Sequence, residues 1–212
     1  MKTKKNACEQ HTIYYPYDDI FSPCQEYYCG RVIAFISAIL SYLRNPSNDK
    51  FKLDAKIYTR GSKVNTAIDA TFSLSDKIDN EYLLTKSKEN KIAIRICGIT
   101  EIVFNDIVYI NTPLNGIVDE NSITLQIADI IPPDNCIEIA KSKELLLKSF
   151  SPSKDGATTA KVFDNVKLYN FTLTNRYIYS ISEGIVTFNA PGGGTLFAPF
   201  SSIFELTGDF LH

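Results

Sequence analysis

Phe51-Lys52-Leu53-Asp54-Ala55-Lys56-Ile57 alternates apolar and charged side chains at every step. Successive side chains of a strand point to opposite faces, so this stretch predicts a β-strand with one face buried and the other in water. The same rhythm returns in Ile68, Ala70, Phe72 and Leu74, in Ile92, Ile94 and Ile96, and in Ile123, Leu125 and Ile127. Residues 166–173 and 195–200 read as further strands. Asn105-Asp106, between residues 102–104 and 107–110, is a two-residue link that tolerates positive φ and predicts a hairpin. Glu183-Gly184, between residues 177–181 and 185–188, predicts a second. Many short strands separated by turn signals predict a mainly β fold, an antiparallel β-sandwich or jelly roll.

Upstream the period changes. Val32, Phe35, Ile36, Ile39, Leu40 and Leu43 recur at spacings of three and four, as one face of a helix requires. Asn45-Pro46 ends the pattern, because proline disfavours helical geometry in the residue before it. The spacing predicts one N-terminal helix over 31–44. Residues 1–30 show neither period and contain Tyr14-Tyr15-Pro16-Tyr17, Ser22-Pro23 and three of the five cysteines, so they read as an extended arm. The expected organisation is an arm over 1–30 and a β-sandwich domain over 31–212 that begins with the helix. Residues 139–150, with Leu145-Leu146-Leu147, break the β pattern and fit a short helix, and 151–160 read as a loop. No internal repeat is evident from the residues.

The chain has 212 residues, 44% hydrophobic and 22% charged, with a formal net charge of −2. That is the profile of an ordinary globular protein. A nucleic-acid partner is not expected, since phosphate binding needs a dense basic field and here acids slightly outnumber bases. Residues 32–43, the longest apolar stretch, fall well short of the roughly 20 a bilayer span needs, so no membrane span is expected. Lys2, Lys4 and Lys5 look like the start of a secretory signal, yet Asn6-Ala7-Cys8-Glu9-Gln10-His11 offers no apolar segment, and no classical signal peptide is expected.

Residues suited to catalysis are sparse. Histidine occurs only at His11 and His212, and Cys97 has no histidine near it in sequence. Asp18, Asp19, Glu101, Asp106 and Glu183 could pair for glycoside chemistry, but any chain this rich in acids offers such pairs. Gly192-Gly193-Gly194 runs into Thr195-Leu196-Phe197 without the Lys-Ser/Thr of a phosphate loop and reads as a turn. Asn170-Phe171-Thr172 matches a glycosylation sequon but lies in an expected strand. The expectation is a protein without enzymatic activity or cofactor.

The cysteines carry the functional reading. Cys8, His11, Cys24 and Cys29 make a chemically valid zinc set, although Cys24 and Cys29 stand at the loose edge of ligand spacing; free thiols and disulfides are the other fates. Cys97 reads as a small buried hydrophobe within a strand, and Cys136 lies near a loop. An odd total leaves at least one thiol without a partner in its own chain. The inter-subunit disulfide candidates are therefore Cys8, Cys24, Cys29 and Cys136, with Tyr14, Tyr15, Tyr17 and Phe21 as arm contact residues. An arm of about 30 residues spans several nanometres at roughly 3.3 Å per residue.

Cys24-x4-Cys29 leading into Val32-Ile33-Ala34-Phe35-Ile36, Ile96-Cys97 within a strand and an apolar C-terminal strand pair give the chain a resemblance to the cysteine-containing self-assembling proteins of spore surfaces, of the exosporium crust or endospore appendages. The chain departs from them in having few cysteines and no adjacent Cys-Cys pair. The resemblance implies a structural subunit that joins copies of itself by strand addition or disulfides, placed extracellularly or on a particle surface after cell lysis. The alternative is a virion or surface binding module, an adhesin or carbohydrate-binding domain, that meets its ligand through loops 111–120 and 190–195.

Overall fold

The computed structural model describes residues 23–60, 66–88, 90–114, 118–149 and 163–207. Helix α1 (Pro23–Arg44) starts at Pro23 rather than at residue 31. Proline suits the first helical position because its missing N–H would be unpaired there anyway, and Glu26 and Arg44 complement the helix dipole at either end. Tyr27 and Tyr28 are buried, so residues 23–30 belong to the folded body and not to an arm. Val32, Phe35, Ile36, Ile39, Leu40 and Leu43 form the buried face expected of them.

The strands follow in two groups. The first holds β1 (Lys52–Thr59), β2 (Ile68–Ser73), β3 (Lys77–Asp79), β4 (Tyr82–Ser87) and β5 (Asn90–Arg95), then a 3-10 turn (Ile96–Gly98) and β6 (Ile99–Phe104). A short parallel pair, β7 (Val108–Ile110) with β8 (Ile123–Leu125), leads to helix α2 (Asp134–Ser149). The second group holds β9 (Phe163–Leu168), β10 (Thr172–Arg176), β11 (Ile178–Ser182), β12 (Ile185–Asn189) and β13 (Thr195–Pro199), then a second 3-10 turn (Phe200–Ser202) and β14 (Ile203–Thr207). The chain is mainly β, with large antiparallel sheets and an N-terminal helix, as the alternation predicts. Leu53, Ala55 and Ile57 are buried while Lys52, Asp54 and Lys56 are exposed.

The two groups share a pairing pattern except at one point. In the first, β1 pairs with β2 and β6, β3 with β4, and β4 with β5, all antiparallel, and β2 also meets β4, a pairing that β10 and β12 lack among the described residues. In the second, β9 pairs with β10 and β14, β11 with β12, and β12 with β13, again all antiparallel. Each group follows a helix, and each last strand follows a 3-10 turn. Each last strand also slips register against its partner at the same place, skipping Thr100 between Tyr58 and Thr59, and Phe204 between Ile203 and Glu205. The molecule is thus built from two repeats of a helix-plus-strands unit, a repeat not evident from the residues.

Two apolar cores form, and both units contribute to each. One gathers α1 with β1, β2, β4, β5, β6, β7 and β8 and takes in Ile185 of β12 and Phe197 of β13. In the other, Val166, Leu168, Leu173 and Ile203 of the three-stranded sheet face Val186, Phe188, Leu196 and Ala198 of the nine-stranded sheet, the layering of a sandwich. The second strand of the first unit bends between β2 and β3, where buried Asp76 accepts from Ser73 N at 2.9 Å and Thr85 Oγ1 at 2.8 Å.

The Glu183-Gly184 hairpin forms as expected, but the Asn105-Asp106 hairpin does not. Both edges of β6 are already occupied, by β1 and β13, so β7 cannot fold back on it. Buried hydroxyls receive β7 instead, with Val108 N donating to Thr195 Oγ1 and Ile110 N to Ser180 Oγ, each at 2.8 Å. Residues 166–173, expected as one strand, are a hairpin, with Leu168 N donating to Phe171 O across its turn.

The glycine loop is a turn, as read. Gly194 has φ +74°, and a Cβ there would stand 2.2 Å from Phe104 O and 2.7 Å from Asn105 O. Both obstacles are backbone and cannot rotate away. We expect Gly194→Ala to cost about 3 kcal/mol from positive φ plus overlap, measured by urea unfolding.

Candidate functional site

The cysteines fall differently from the expectation. Cys24 in the first turn of α1 is bonded to Cys136 in the first turn of α2, and Cys29 on α1 to Cys97 in the 3-10 turn before β6. Inter-subunit bonding of Cys24, Cys29 and Cys136 is therefore corrected. The start of α1 lies against its own chain, with Cα–Cα separations of 5.4 and 4.7 Å, inside disulfide reach. The same bonds leave Cys24 and Cys29 no thiolate for zinc, and Cys97 is not a free buried thiol. Cys8, His11, Tyr14, Tyr15, Tyr17 and Phe21 lie outside the described residues, as does His212.

Arg31 is the largest polar side chain in the interior, fully buried on α1. Its Nε donates to Glu183 O and one terminal nitrogen to Ala128 O, both at 2.6 Å, and the other terminal nitrogen donates to Ser182 Oγ at 2.9 Å. One guanidinium fork thereby ties the first unit's helix to the β11–β12 turn and to the segment after β8. Tyr27 packs beside it under Gly184, and burial pushes its phenol up to about 12, the Arg31 charge acting the other way.

The units meet strand to strand. β6, the last strand of the first unit, pairs antiparallel with β13 of the second, in the register Thr195 with Phe104, Leu196 with Val103 and Phe197 with Ile102. Phe197 stacks on Phe35 of α1 at 3.8 Å between ring centroids. At the start of β6, Glu101 is fully buried. Its oxygens accept from Asn170 N at 3.1 Å and Asn170 Nδ2 at 2.7 Å, and Ser202 Oγ donates to Thr100 O at 2.8 Å. The β9–β10 turn therefore caps the first unit's last strand through the Glu101 side chain, and the second 3-10 turn caps it through the Thr100 carbonyl.

Burial pushes the Glu101 carboxyl above the ordinary glutamate value, with hydrogen bonds from Asn170 and Thr100 opposing it. The folded chain then holds this proton to higher pH than the unfolded chain. Its stabilising contribution is complete at acid pH and is lost as pH climbs from the ordinary glutamate range through the raised folded value. We expect urea midpoints over about pH 4–8 to show this decline in the wild type and to lack that component in Glu101→Gln.

No family model, curated protein or solved structure matches this chain. The site is therefore read from its own geometry.

The equivalent edges of the repeat have no strand partner among the described residues. Counted from each 3-10 turn, Thr100 and Glu101 of β6 correspond to Phe204 and Glu205 of β14. Thr100 is 1% exposed and Phe204 62%. Glu101 is buried and Glu205 exposed. Among the described residues β14 pairs only with β9, and β5, the counterpart of β13, only with β4. Phe204 meets Tyr169, itself 40% exposed, at 6.0 Å between centroids.

Of the acids singled out in the sequence, Asp106 forms an ion pair with Lys50, and Glu183 presents a buried Oε2 without a hydrogen-bond partner among the described residues. Asp18 and Asp19 lie outside the described residues. A groove of about 540 Å³ runs over the outer face of β1 and β2, between Asp54, Lys56, Asp69 and Lys88 on one side and Gly192 and Gly193 on the other. No helix among the described residues is long and apolar enough to cross a membrane. The only signal in the sequence for the open edge was the apolar character of its last strands; nothing in residue type marked Arg31 or Glu101 as buried.

Proposed function

We propose that the chain is a structural, self-assembling subunit of a surface layer, fibre or particle, whose copies join by strand addition. One observation carries this reading: the last strand of the first unit is completed by a strand of its neighbour unit, while the same strand of the second unit has no partner beyond β9 among the described residues, with Phe204 largely in solvent. An unpaired strand edge with an exposed aromatic is a template for another chain. The two disulfides suit an oxidising location, and a spore surface is the placement the resemblance implies. Residues 1–22 remain a second means of joining, through Tyr14, Tyr15, Tyr17, Phe21 and Cys8. Light scattering across a dilution series tests the reading. Mass that rises with concentration supports it, and a monomer throughout overturns it.

The groove beside Gly192 and Gly193 favours the binding-module alternative, since charged residues and a glycine loop line one cleft. A monomer whose glycan binding is abolished by Asp54→Ala with Asp69→Ala would support that reading instead.

A further inference from the structure

We propose that copies join by antiparallel pairing of β14 of one chain with β5 of the next, repeating between chains the β6–β13 junction found within each chain. This rests on the assembly reading above and names the surfaces it would use. The repeat supplies the template. β6 and β14 are the last strands of their units, β13 and β5 are the strands before the 3-10 turns, and among the described residues only one such pair meets. The other two edges are open among the described residues.

The register carries over. Leu196 of β13 stands as far before its 3-10 turn as Ile92 of β5, and Val103 of β6 stands as far after its turn as Thr207 of β14. Pairing of Leu196 with Val103 therefore places Ile92 opposite Thr207 of the next copy, and pairing of Phe197 with Ile102 places Ala93 opposite Leu206.

Each edge also carries apolar surface. Beside β5 a hollow of about 520 Å³ is lined by Leu84, Ile92 and Ala93 together with Lys77, Lys86 and Lys91, while β14 presents Phe204. A docked strand satisfies two rows of backbone groups and covers that aromatic at once. Each copy would use β5 on one side and β14 on the other, so the contact is head-to-tail and closes a ring or extends a filament according to its rotation.

The test is cross-linking in a Cys8→Ser background. Directly opposed antiparallel residues have Cα atoms about 4.5–5.5 Å apart, within disulfide reach. Mild oxidation of Ile92→Cys with Thr207→Cys is expected to give a ladder of covalent oligomers, with the new bond mapped between 92 and 207 by mass spectrometry. The out-of-register pair Ala93→Cys with Thr207→Cys is expected to give about tenfold less, because neighbouring strand positions face opposite ways. Phe204→Asp, on an exposed position, is expected to weaken association about tenfold or more with unchanged circular dichroism. Oligomers by light scattering without the in-register ladder would overturn this pairing and leave self-assembly standing. A wild-type monomer at every concentration would overturn both.

Discussion

Arg31→Ala is expected to lower unfolding free energy by about 2–5 kcal/mol, the range for leaving buried acceptors unpaired and a cavity behind. The guanidinium is fully buried and donates to Glu183 O, Ala128 O and Ser182 Oγ. Truncation strands these acceptors away from water and opens a cavity between α1 and the second unit. Arg31→Lys should recover only part, since an ammonium cannot present the fork that reaches three acceptors in different segments. Urea unfolding with an unchanged denaturant slope checks this. A loss under about 1 kcal/mol would mean that water satisfies those acceptors and that the tie is incidental.

Removing the Cys24–Cys136 bond is expected to have an effect of similar size. The bond closes a loop with sequence separation 112, and the chain-entropy relation gives about 4–5 kcal/mol for a loop of that order. It joins the first turns of the two helices, one from each unit, so its loss loosens the units' relation more than either core. The Cys29–Cys97 bond, at separation 68, fastens the first unit's helix to its own 3-10 turn and should matter slightly less. Cys24→Ser with Cys136→Ser, measured by thermal and urea unfolding, checks the magnitude. Non-reducing electrophoresis of the wild type should show no species joined through Cys24, Cys29 or Cys136, and such a species would contradict the pairing.

The strands that bury one face were legible because a period of two survives wherever one side meets water, as in Leu53, Ala55 and Ile57. Strands buried on both faces were harder to bound: β11 and β12 are buried almost throughout, so only their turn betrays them. The true start of α1 was hidden because Cys24, Tyr27 and Tyr28 pack on the second unit rather than along the apolar stripe that begins at Val32. Cysteine pairing cannot be deduced from spacing, so nothing in the sequence placed Cys24 and Cys29 against Cys136 and Cys97 rather than on an extended arm. Asn105-Asp106 carried hairpin chemistry, but the edge it would have closed was taken by β13 from far along the chain.

The repeat was invisible for a related reason. It is kept in hydrogen-bond pattern, in the slip at Thr100 and Phe204 and in the 3-10 turns, while the side chains have diverged. The β4–β5 link is Lys88-Glu89, and the corresponding β12–β13 link is Ala190-Pro191-Gly192-Gly193-Gly194. Glu101 and Glu205 are alike in type and opposite in environment, one capped by Asn170 and one in solvent. That difference in environment, with identity of position, is what marks the second edge as incomplete.

Hydrogen–deuterium exchange compared between dilute and concentrated protein tests the open-edge account most directly. It predicts that added protection on concentration appears in residues 90–95 and 203–207 and leaves the already paired β6 and β13 unchanged. Exchange at both edges as rapid in the concentrated sample as in the dilute one, under conditions where light scattering reports oligomers, would contradict it.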